Sequence, residues 1–271
     1  MAHDDDDDVD DLKAADAKEL HRTVREEGED ELDRPTSALF WSGLAAGLAI
    51  NTSLIAEAAL HRELPDVGWR HLVIALGYPV GFVIVILGRM QLFTESTVTA
   101  MLPLVTRPSA RALRRTLRLW GIVLGANLIG TAIAAALIDA GVLGDPALRR
   151  SALEISARIL DLGPWETFLN AIPAGFLIAT IAWTLPNARE QAFLVIFAIA
   201  YVVAVAGFSH SIVGSDEAFL LLFSGRTDIG QTVFGLIAPA VLGNLVGGAG
   251  LFAVLAHAQV SSDKQGDDGH G

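Results

Sequence analysis

Residues 81–105 read GFVIVILGRMQLFTESTVTAMLPLV. The stretch begins and ends as an apolar helix, but its centre, Gly88–Ser96, contains an arginine, a glutamine, a threonine and a glutamate. Unpaired backbone groups and charged side chains are costly in the hydrocarbon core of a bilayer. A polar interruption of an apolar helix therefore predicts a segment that lines a polar pathway through a membrane.

The rest of the sequence has the composition of a membrane protein. The chain has 271 residues, of which 52% are apolar, and long apolar runs recur from about residue 38 to residue 260. Several of these runs reach the ~20 residues that a helix needs to cross a bilayer. The absence of cysteine excludes a disulfide framework, a thiolate nucleophile and a cysteine-based metal site.

The net charge of −12 is concentrated at the two ends of the chain. Residues 1–35 are rich in Asp and Glu and residues 261–271 carry a small acidic excess, whereas residues 36–260 balance their acids with arginines and contain no lysine. Dense like charge predicts a largely disordered N-terminal tail, in which Leu12–Glu27 is the candidate for a short surface helix. We expect an acidic tail, a membrane domain at 36–260 and a short C-terminal tail.

Hydropathy predicts six membrane spans, of which the second and fifth are interrupted. The predicted spans are Ala38–Leu60, His71–Leu87, Thr116–Asp139, Phe168–Leu185, Ala192–Phe208 and Thr232–His257. Five arginines lie between residues 107 and 118, and positive charge is retained in the cytoplasm, so we expect this connection and both termini to be cytoplasmic. The chain is accordingly expected to be a multi-pass protein of the cell (inner or plasma) membrane.

The two halves of the membrane domain resemble each other. N-L-I-G at 127–130 in the third span matches N-L-V-G at 244–247 in the sixth, and Thr94 and His210 precede these motifs by 33 and 34 residues. A three-span unit that is repeated once is inverted in the membrane the second time, and sites in such folds lie at the repeat interface. We predict an all-α membrane protein with two inverted three-helix repeats and a site where the broken helices meet.

Each predicted break is followed by residue types that cap helix N-termini. Thr94, Glu95 and Ser96 occupy this place in the first half, and Ser215 and Asp216 occupy it in the second. The free N–H groups and the positive dipole end of a helix N-terminus attract anions. Two such ends at the centre of the membrane would form an electropositive site without a fixed lysine or arginine.

His210 is the histidine predicted to lie deep in the membrane, within F-S-H-S at 208–211. An imidazole can supply a hydrogen bond or a proton at ordinary pH, and its place at a helix break favours a functional role over a histidine that caps the loop. Arg89 has two interpretations. It either attracts anions on the cytoplasmic side of the break or pairs with Glu95.

L-F-T at 92–94, F-S-H-S at 208–211 and G-N-L-V-G-G at 243–248 occur in this order on the broken spans and on the sixth span. In these motifs the chain resembles the formate/nitrite transporter family, over residues 36–260. The resemblance implies an aquaporin-like fold, a homopentamer, and a pore in each protomer for small monovalent anions such as formate, nitrite, hydrosulfide or lactate. The expected partners are these anions, protons and the lipid bilayer, with no cofactor, metal or nucleic acid.

The same resemblance assigns roles to individual residues. Thr94 would approach the central His210, Asn244 would lie near the pore, and Ser209 and Ser211 would join the substrate pathway. Apolar side chains would form constrictions on both sides of this site. The candidates are Leu92, Phe93, Phe82 and Tyr78 on one side, and Val203 and Ile178 on the other.

Several positions depart from the family pattern. Ser209 stands where a glutamate is usual, Gln91 stands where an acid commonly precedes L-F-T, and Gly175 aligns with an asparagine expected on the fourth span. The lysine often found at the pore mouth has no counterpart, although Arg158 lies near its place. The departures indicate a divergent branch of the family, for which neither the anion nor the gating follows from the sequence.

The mechanism expected from these residues is the passage of a weak acid. Helix dipoles would draw in the anion, and His210, positioned by Thr94, would donate a proton or a strong hydrogen bond to it, because a bare anion is costly in a dry constriction. We expect no enzymatic activity, since the G-x-S-G motif of intramembrane serine proteases is absent. A relative without transport that acts as a membrane sensor or scaffold, and a channel for small neutral solutes, stay open as alternatives.

Overall fold

The computed structural model describes residues 16–267, with side chains up to residue 260. The described residues are 82% helical and contain no strand. The helices are α1 (Ala17–Asp33), α2 (Thr36–Ile50), α3 (Thr52–Glu63), α4 (Arg70–Ile74), α5 (Pro79–Leu87), α6 (Phe93–Thr106), α7 (Ala110–Asp139), α8 (Pro146–Ser156), α9 (Pro164–Thr184), α10 (Ala192–Val205), α11 (Ser211–Phe223), α12 (Ala238–Leu245) and α13 (Ala253–Asp267). The predicted all-α fold is confirmed.

The six predicted spans are present among these helices. Five segments are long and apolar enough to cross a bilayer: Thr36–Glu63, Arg70–Leu87, Ala110–Asp139, Pro164–Asn187 and Gln231–Val260. The apolar helix α10 has 14 residues, which is fewer than the ~20 that a full crossing takes. The short helices α6 and α11 follow the second and fifth spans, so that each interrupted span consists of two pieces.

Both interrupted spans break in the same way. Arg89 after α5 and Gly207 after α10 have positive φ angles of 51° and 66°. Each of them donates its N–H group back to the last turn of the helix that it follows. Four residues later the next helix begins, at Phe93 in α6 and at Ser211 in α11. The first break therefore lies inside the stretch in which the sequence predicts it.

The structural register of the two halves differs from the register predicted from motif spacing. Leu92 (φ −101°, ψ 128°) and His210 (φ −102°, ψ 128°) are the residues that precede α6 and α11. His210 is therefore the counterpart of Leu92, and Thr94 is the counterpart of Ile212. The spacings of 33 and 34 residues from Thr94 and His210 to the asparagine motifs therefore do not start from equivalent positions. The chain from the residue before the half-helix to the asparagine is one residue longer in the first half.

The residues predicted to cap the second half-helices lie inside them. α6 begins before Thr94, Glu95 and Ser96, and α11 begins before Ser215 and Asp216. These short polar side chains can cap a helix only from the position that precedes it. The prediction of these caps is therefore wrong, and the helix starts are held by other side chains, which are described below.

The helices of each half approach each other closely at glycines. A Cβ atom at Gly47 would lie 2.3 Å from the carbonyl oxygen of Asn127, and a Cβ atom at Gly175 would lie 2.2 Å from that of Asn244. Such distances are shorter than any real Cβ contact, so each position requires glycine for the backbones to pack. The fourth span thus has no room at residue 175 for the asparagine of the family pattern.

The acidic N-terminal segment forms a packed helix rather than a largely disordered tail, at least from residue 17 onward. Leu20, Val24, Gly28 and Leu32 recur at every fourth position and form one buried side of α1. A Cβ atom at Gly28 would lie 1.9 Å from the carbonyl oxygen of Thr99, which shows how closely α1 packs on α6. The prediction failed because it weighed the dense charge and overlooked this stripe.

The remaining predictions about the two tails fall partly outside the described residues. The expected surface helix at Leu12–Glu27 is found at Ala17–Asp33, and residues 1–15 lie outside the part of the chain that the structure describes. At the other end, α13 continues from the sixth span to Asp267, past the expected start of the tail at residue 261. Residues 268–271 also lie outside the described part.

α1, the arginine-rich connection and the end of the sixth span lie on one side of the protein. Arg115 in that connection forms an ion pair with Asp33 of α1. The ring nitrogens of His21 in α1 and His257 in α13 lie 3.2 Å apart. The two described ends of the chain therefore lie together, next to the connection predicted to be cytoplasmic.

Candidate functional site

Two buried asparagines hold the starts of the two half-helices. The side-chain oxygen of Asn127 accepts a hydrogen bond of 2.9 Å from the N–H group of Phe93. In the other half, the side-chain oxygen of Asn244 accepts one of 2.7 Å from the N–H group of Ser211. Each asparagine thus satisfies the first free N–H group of a helix that begins inside the protein.

The amide nitrogens of the same asparagines hold the chain before each half-helix. Asn127 donates to the carbonyl oxygen of Gln91, at 2.9 Å, and Asn244 donates to that of Ser209, at 3.0 Å. Each nitrogen also bonds a carbonyl oxygen of the first span of its own half, that of Gly43 at 2.8 Å and that of Ala171 at 2.8 Å. Asn244, predicted to lie near the pore, is fully buried and holds the helix break in place.

His210 and Thr94 meet between the two half-helices. The Nε2 atom of His210 and the hydroxyl oxygen of Thr94 lie 2.9 Å apart, and both side chains are buried. The Nδ1 atom of His210 accepts a hydrogen bond of 3.2 Å from the N–H group of Val213, so that the ring caps α11. His210 thus caps the helix, as the second interpretation has it, and its Nε2 atom faces the other half of the protein, while its functional role stays a prediction.

The two contacts of His210 determine its tautomer. Since Nδ1 accepts a hydrogen bond, it carries no proton, and a neutral ring carries its proton on Nε2. Nε2 then donates to the oxygen of Thr94, whose hydroxyl hydrogen is left to donate elsewhere. The pair can therefore offer one hydrogen bond, from the Thr94 hydroxyl, to an oxygen atom of a bound molecule.

Apolar side chains surround this pair. The ring of Phe82 lies edge-on to the imidazole of His210, with the ring centres 4.9 Å apart, and the ring centre of Tyr78 lies 5.2 Å from that of Phe82. Leu92 and Phe93 are buried in the same cluster. The candidates for the other side, Val203 and Ile178, also belong to it. The structure thus places the predicted constriction residues in one apolar cluster, of which Phe82 contacts His210.

The two serines beside His210 differ in their surroundings. The hydroxyl of Ser211 is buried and has no hydrogen-bond partner among the described residues. The hydroxyl of Ser209 lies 3.4 Å from the amide nitrogen of Asn170 in the fourth span, which also donates to the carbonyl oxygen of Gly207 at 2.6 Å. The sequence analysis missed Asn170, although an asparagine within a predicted span was the available signal.

Arg89 is exposed at the end of α5. Within the described part of the chain, its guanidinium group forms no ion pair with Glu95, the partner suggested by the second interpretation of the sequence. The attraction of anions by Arg89 stays a prediction.

A cavity of about 200 Å³ reaches His210 and Ser209 from the side of α8, and we call it the vestibule. Tyr78 lines it, whereas Phe82, Leu92 and Phe93 lie buried beyond it. Its lining also includes two acidic residues that the sequence analysis did not connect with the site, Glu57 of α3 and Glu217 of α11. Arg158, which follows α8 and lies near the place of the family's pore-mouth lysine, lines it as well.

Comparisons with known proteins identify the family. A family model described as formate/nitrite transporter matches residues 18–258. The chain belongs to the formate/nitrite transporter family. Its members are channels and transporters rather than enzymes, and the resemblance drawn from the three motifs is confirmed.

Related sequences occur in distant organisms. The inner membrane protein YfdC of Escherichia coli (strain K12) is 38% identical over 247 residues, which are 91% of this chain and 80% of that protein. The uncharacterized transporter YrhG of Bacillus subtilis (strain 168) is 26% identical over 240 residues, covering 85% of this chain and 88% of that protein. Formate-nitrite transporter 3 of Toxoplasma gondii is 27% identical over 179 residues, covering 64% of this chain and 35% of that protein.

Solved structures share the fold at low sequence identity. A pentameric formate channel with formate bound superposes with a TM-score of 0.70 at 19% identity, covering 83% of this chain and 97% of that one. An ion channel of the same family superposes with a TM-score of 0.72 at 17% identity, covering 90% of this chain and 98% of that one. The aquaporin-like fold implied by the motifs is the fold of the family.

One departure from the family pattern is compensated by α1. Gln91 stands where an acid is common, and its amide nitrogen donates a hydrogen bond of 3.0 Å to the carboxylate of Glu31. The hydroxyl of Thr99 donates to the other oxygen of this carboxylate, at 2.6 Å. Burial raises the pKa of the Glu31 carboxyl, and the hydrogen bonds from Thr99 and Gln91 oppose this rise. A carboxylate is thus present beside the first break, but it comes from another helix.

Proposed function

We propose that the protein passes small monovalent weak-acid anions of the formate or nitrite type through a pore in each protomer. Membership of the formate/nitrite transporter family supports a transport function. The observation that supports the pathway is the buried contact of 2.9 Å between Thr94 and His210, at the starts of the two half-helices. Hydrogen-bond donors in an apolar surrounding are suited to a small ligand whose oxygen atoms accept hydrogen bonds.

The pathway runs from the vestibule past the His210–Thr94 pair and on between Phe82, Leu92 and Phe93. A small anion is attracted to the pair because two helix N-termini face the same region. The bare anion does not cross the apolar cluster, because its desolvation is costly. The weak acid crosses in its neutral form, and one proton accompanies each anion.

His210 acts in this pathway as a hydrogen-bond donor with a fixed tautomer. Its Nδ1 atom is occupied by the N–H group of Val213, so a second ring proton would break the cap of α11. The proton on Nε2 orients the Thr94 hydroxyl, which donates to an oxygen atom of the substrate. Of the two roles expected from the sequence, this arrangement favours the strong hydrogen bond over proton donation by the imidazole.

The assembly and the orientation belong to the same proposal. The solved structure of a family member with formate bound is described as pentameric, and we propose a homopentamer in the lipid bilayer of the cell (inner or plasma) membrane. The arginines between residues 107 and 118 lie beside α1 and favour cytoplasmic termini. The vestibule then faces the outer side.

Neither alternative function is favoured by a specific observation. A sensor or scaffold does not need a pair of polar side chains on the axis between the two half-helices. A channel for neutral solutes would not need the apolar cluster around His210. Family membership favours neither of them.

Flux through proteoliposomes tests the proposed function. Vesicles that contain the wild-type protein are assayed with formate, nitrite, acetate and lactate, and with glycerol and water as neutral solutes. We expect flux of at least one of these anions above that of empty vesicles, rising as the medium is acidified. Flux of glycerol or water alone would support the neutral-solute channel, and no flux of any solute would support the sensor.

A further inference from the structure

Glu57 is a buried carboxyl group for which the described residues supply no hydrogen-bond partner. Its side chain belongs to α3 and lines the vestibule, and the residue is only 8% exposed. Within the described part of the chain it makes no hydrogen bond or ion pair. The hydroxyl of Thr167, which lines the same cavity, is buried and also lacks a hydrogen-bond partner among the described residues. Buried polar groups of this kind are normally satisfied, so the vestibule has free capacity for a ligand.

A second carboxyl group faces the same cavity. Glu217 lies on α11, seven residues after His210, and lines the vestibule with Glu57. Both carboxyl groups and Tyr78 line one cavity, in which two like charges would repel each other. A proton held by either group removes this repulsion.

The other charges around Glu57 and Glu217 do not neutralise these two carboxyl groups. Arg158 is the cation that lines the cavity, and it attracts both carboxylates. Asp216 lies behind Glu217 and accepts a hydrogen bond of 2.5 Å from Asn51. His210 and Tyr78 also line the cavity, and on the neighbouring helices His61 and Glu154 lie 3.8 Å from each other. With both carboxyl groups ionised, the vestibule is negative and repels anions.

We infer that Glu57 and Glu217 form a proton-uptake site that supplies the proton with which a weak-acid anion crosses the protein. This inference rests on the proposed function. An anion that reaches the vestibule takes the proton of one carboxyl group, so that an O–H bond of the glutamic acid breaks and an O–H bond of the substrate forms. The neutral acid passes His210 and the apolar cluster, and the carboxylate regains a proton from water in the vestibule.

The proton and the imidazole have separate tasks in this scheme. His210 keeps its tautomer and its cap throughout, since the carboxyl pair supplies the proton. A carboxyl group that keeps its proton near pH 7 is a weaker acid than a small carboxylic acid in water, so the transfer is favourable only where the apolar surroundings also disfavour the bare anion of the substrate. The net movement is one anion and one proton in the same direction.

Flux measurements with conservative variants test the role of Glu57 and Glu217. Glu57→Gln, Glu217→Gln and the double variant keep the size of each side chain and remove its proton exchange. Glu154→Gln is the matched control, because that carboxylate is exposed on the same side of the protein and does not line the cavity. We expect the double variant to lose about tenfold or more of its formate flux at acidic pH, and to lose most of the rise with acidity, while the control retains both.

Labelling with a hydrophobic carbodiimide tests the same site without transport. The reagent reacts with protonated carboxyl groups in apolar surroundings, and mass spectrometry locates the product. In the wild-type protein we expect Glu57 or Glu217 to react at about pH 7, at which an exposed carboxyl group such as Glu154 is ionised and does not react. If neither residue reacts, the inference is overturned. This result comes from the wild-type protein and does not depend on the folding of a variant.

The outcomes separate this inference from the proposed function. Anion flux in the wild type that keeps its acid dependence in the double variant would overturn the proton-uptake site and leave the transport function intact. Carbodiimide labelling without flux of any anion would contradict the proposed function, and with it the transfer of the proton to an anion.

Discussion

Asn127 and Asn244 make the same three hydrogen bonds in the two halves of the protein. Each accepts from the first N–H group of a half-helix and donates to two carbonyl oxygens. One of these carbonyls lies in the chain before that half-helix, and the other lies in the first span of the same half. The broken helices, which place Thr94 opposite His210, therefore depend on two buried amides.

Replacing Asn244 with leucine should destabilise the protein. The variant keeps a similar volume but leaves the N–H group of Ser211 and two carbonyl oxygens without partners, and each unpaired buried group costs about 1–3 kcal/mol. We expect a clear drop in the unfolding temperature of the protein in detergent, followed by tryptophan fluorescence. Ser224→Ala, which removes a bond within the last turn of α11, is the control. An unfolding temperature equal to that of the control would show that the hydrogen bonds of Asn244 contribute little to the stability of the protein.

Replacing Arg89 with glycine should stabilise the first break. Arg89 has a φ angle of 51°, which costs an L-amino acid about 1 kcal/mol and costs glycine little. Gly207 holds the equivalent position of the second break, so Gly207→Ala should destabilise the protein by a similar amount. Thermal unfolding of the two variants and the wild type checks whether the substitutions change the unfolding temperature in opposite directions. A loss of stability in Arg89→Gly would indicate that the guanidinium group makes contacts that outweigh the backbone strain.

Adding a methyl group at Gly175 should disrupt the packing of the fourth span on the sixth. The Cβ atom of Gly175→Ala would lie 2.2 Å from the carbonyl oxygen of Asn244, whereas a Cβ atom at Gly121 meets no atom within 4 Å. We expect little folded protein for Gly175→Ala and a normal yield for Gly121→Ala, measured as the monodisperse fraction in gel filtration. Equal yields would mean that the two spans can move apart at low cost.

The docking of α1 on α6 should depend on pH through Glu31. Its carboxyl pKa is raised by burial from an ordinary value of 4.5, so docking favours the protonated form. Docking should be strongest below this ordinary value and should weaken as the pH rises through the raised pKa. Hydrogen exchange of residues 17–33 should therefore slow as the pH is lowered, after correction for the intrinsic rate. Glu31→Gln should remove this dependence, and a persistent dependence in that variant would assign it to another group, such as the His21–His257 pair.

The sequence contains enough information for the spans and their breaks. Apolar runs of a definite length are imposed by the thickness of the bilayer, and a polar cluster such as Gly88–Ser96 interrupts a membrane helix only where the protein shields it. The motifs around Thr94 and His210 also predicted that these side chains belong to one site. Their contact of 2.9 Å is consistent with this prediction.

Other features depend on contacts that spacing does not encode. The register of the two halves does not follow from motif spacing, because the segments between the half-helix starts and the asparagine motifs differ in length by one residue. Glu57 and Glu217 are separated by 160 positions in the chain, and their common cavity follows only from the packing of α3 against α11. The helix α1 is a different case, since the stripe from Leu20 to Leu32 was readable in the sequence but was hidden by the charge around it.

Formate flux through His210→Ala and Thr94→Val, measured in proteoliposomes at about pH 5 and about pH 7.5, tests the central claim most directly. Thr180→Val is the matched control, because its hydroxyl bonds only a carbonyl of its own helix. Both pathway variants should lose about tenfold or more of the wild-type flux, since each removes a hydrogen-bond donor from a buried site, while the control conducts normally. Wild-type flux and pH dependence in His210→Ala would contradict a pathway that runs past the His210–Thr94 pair.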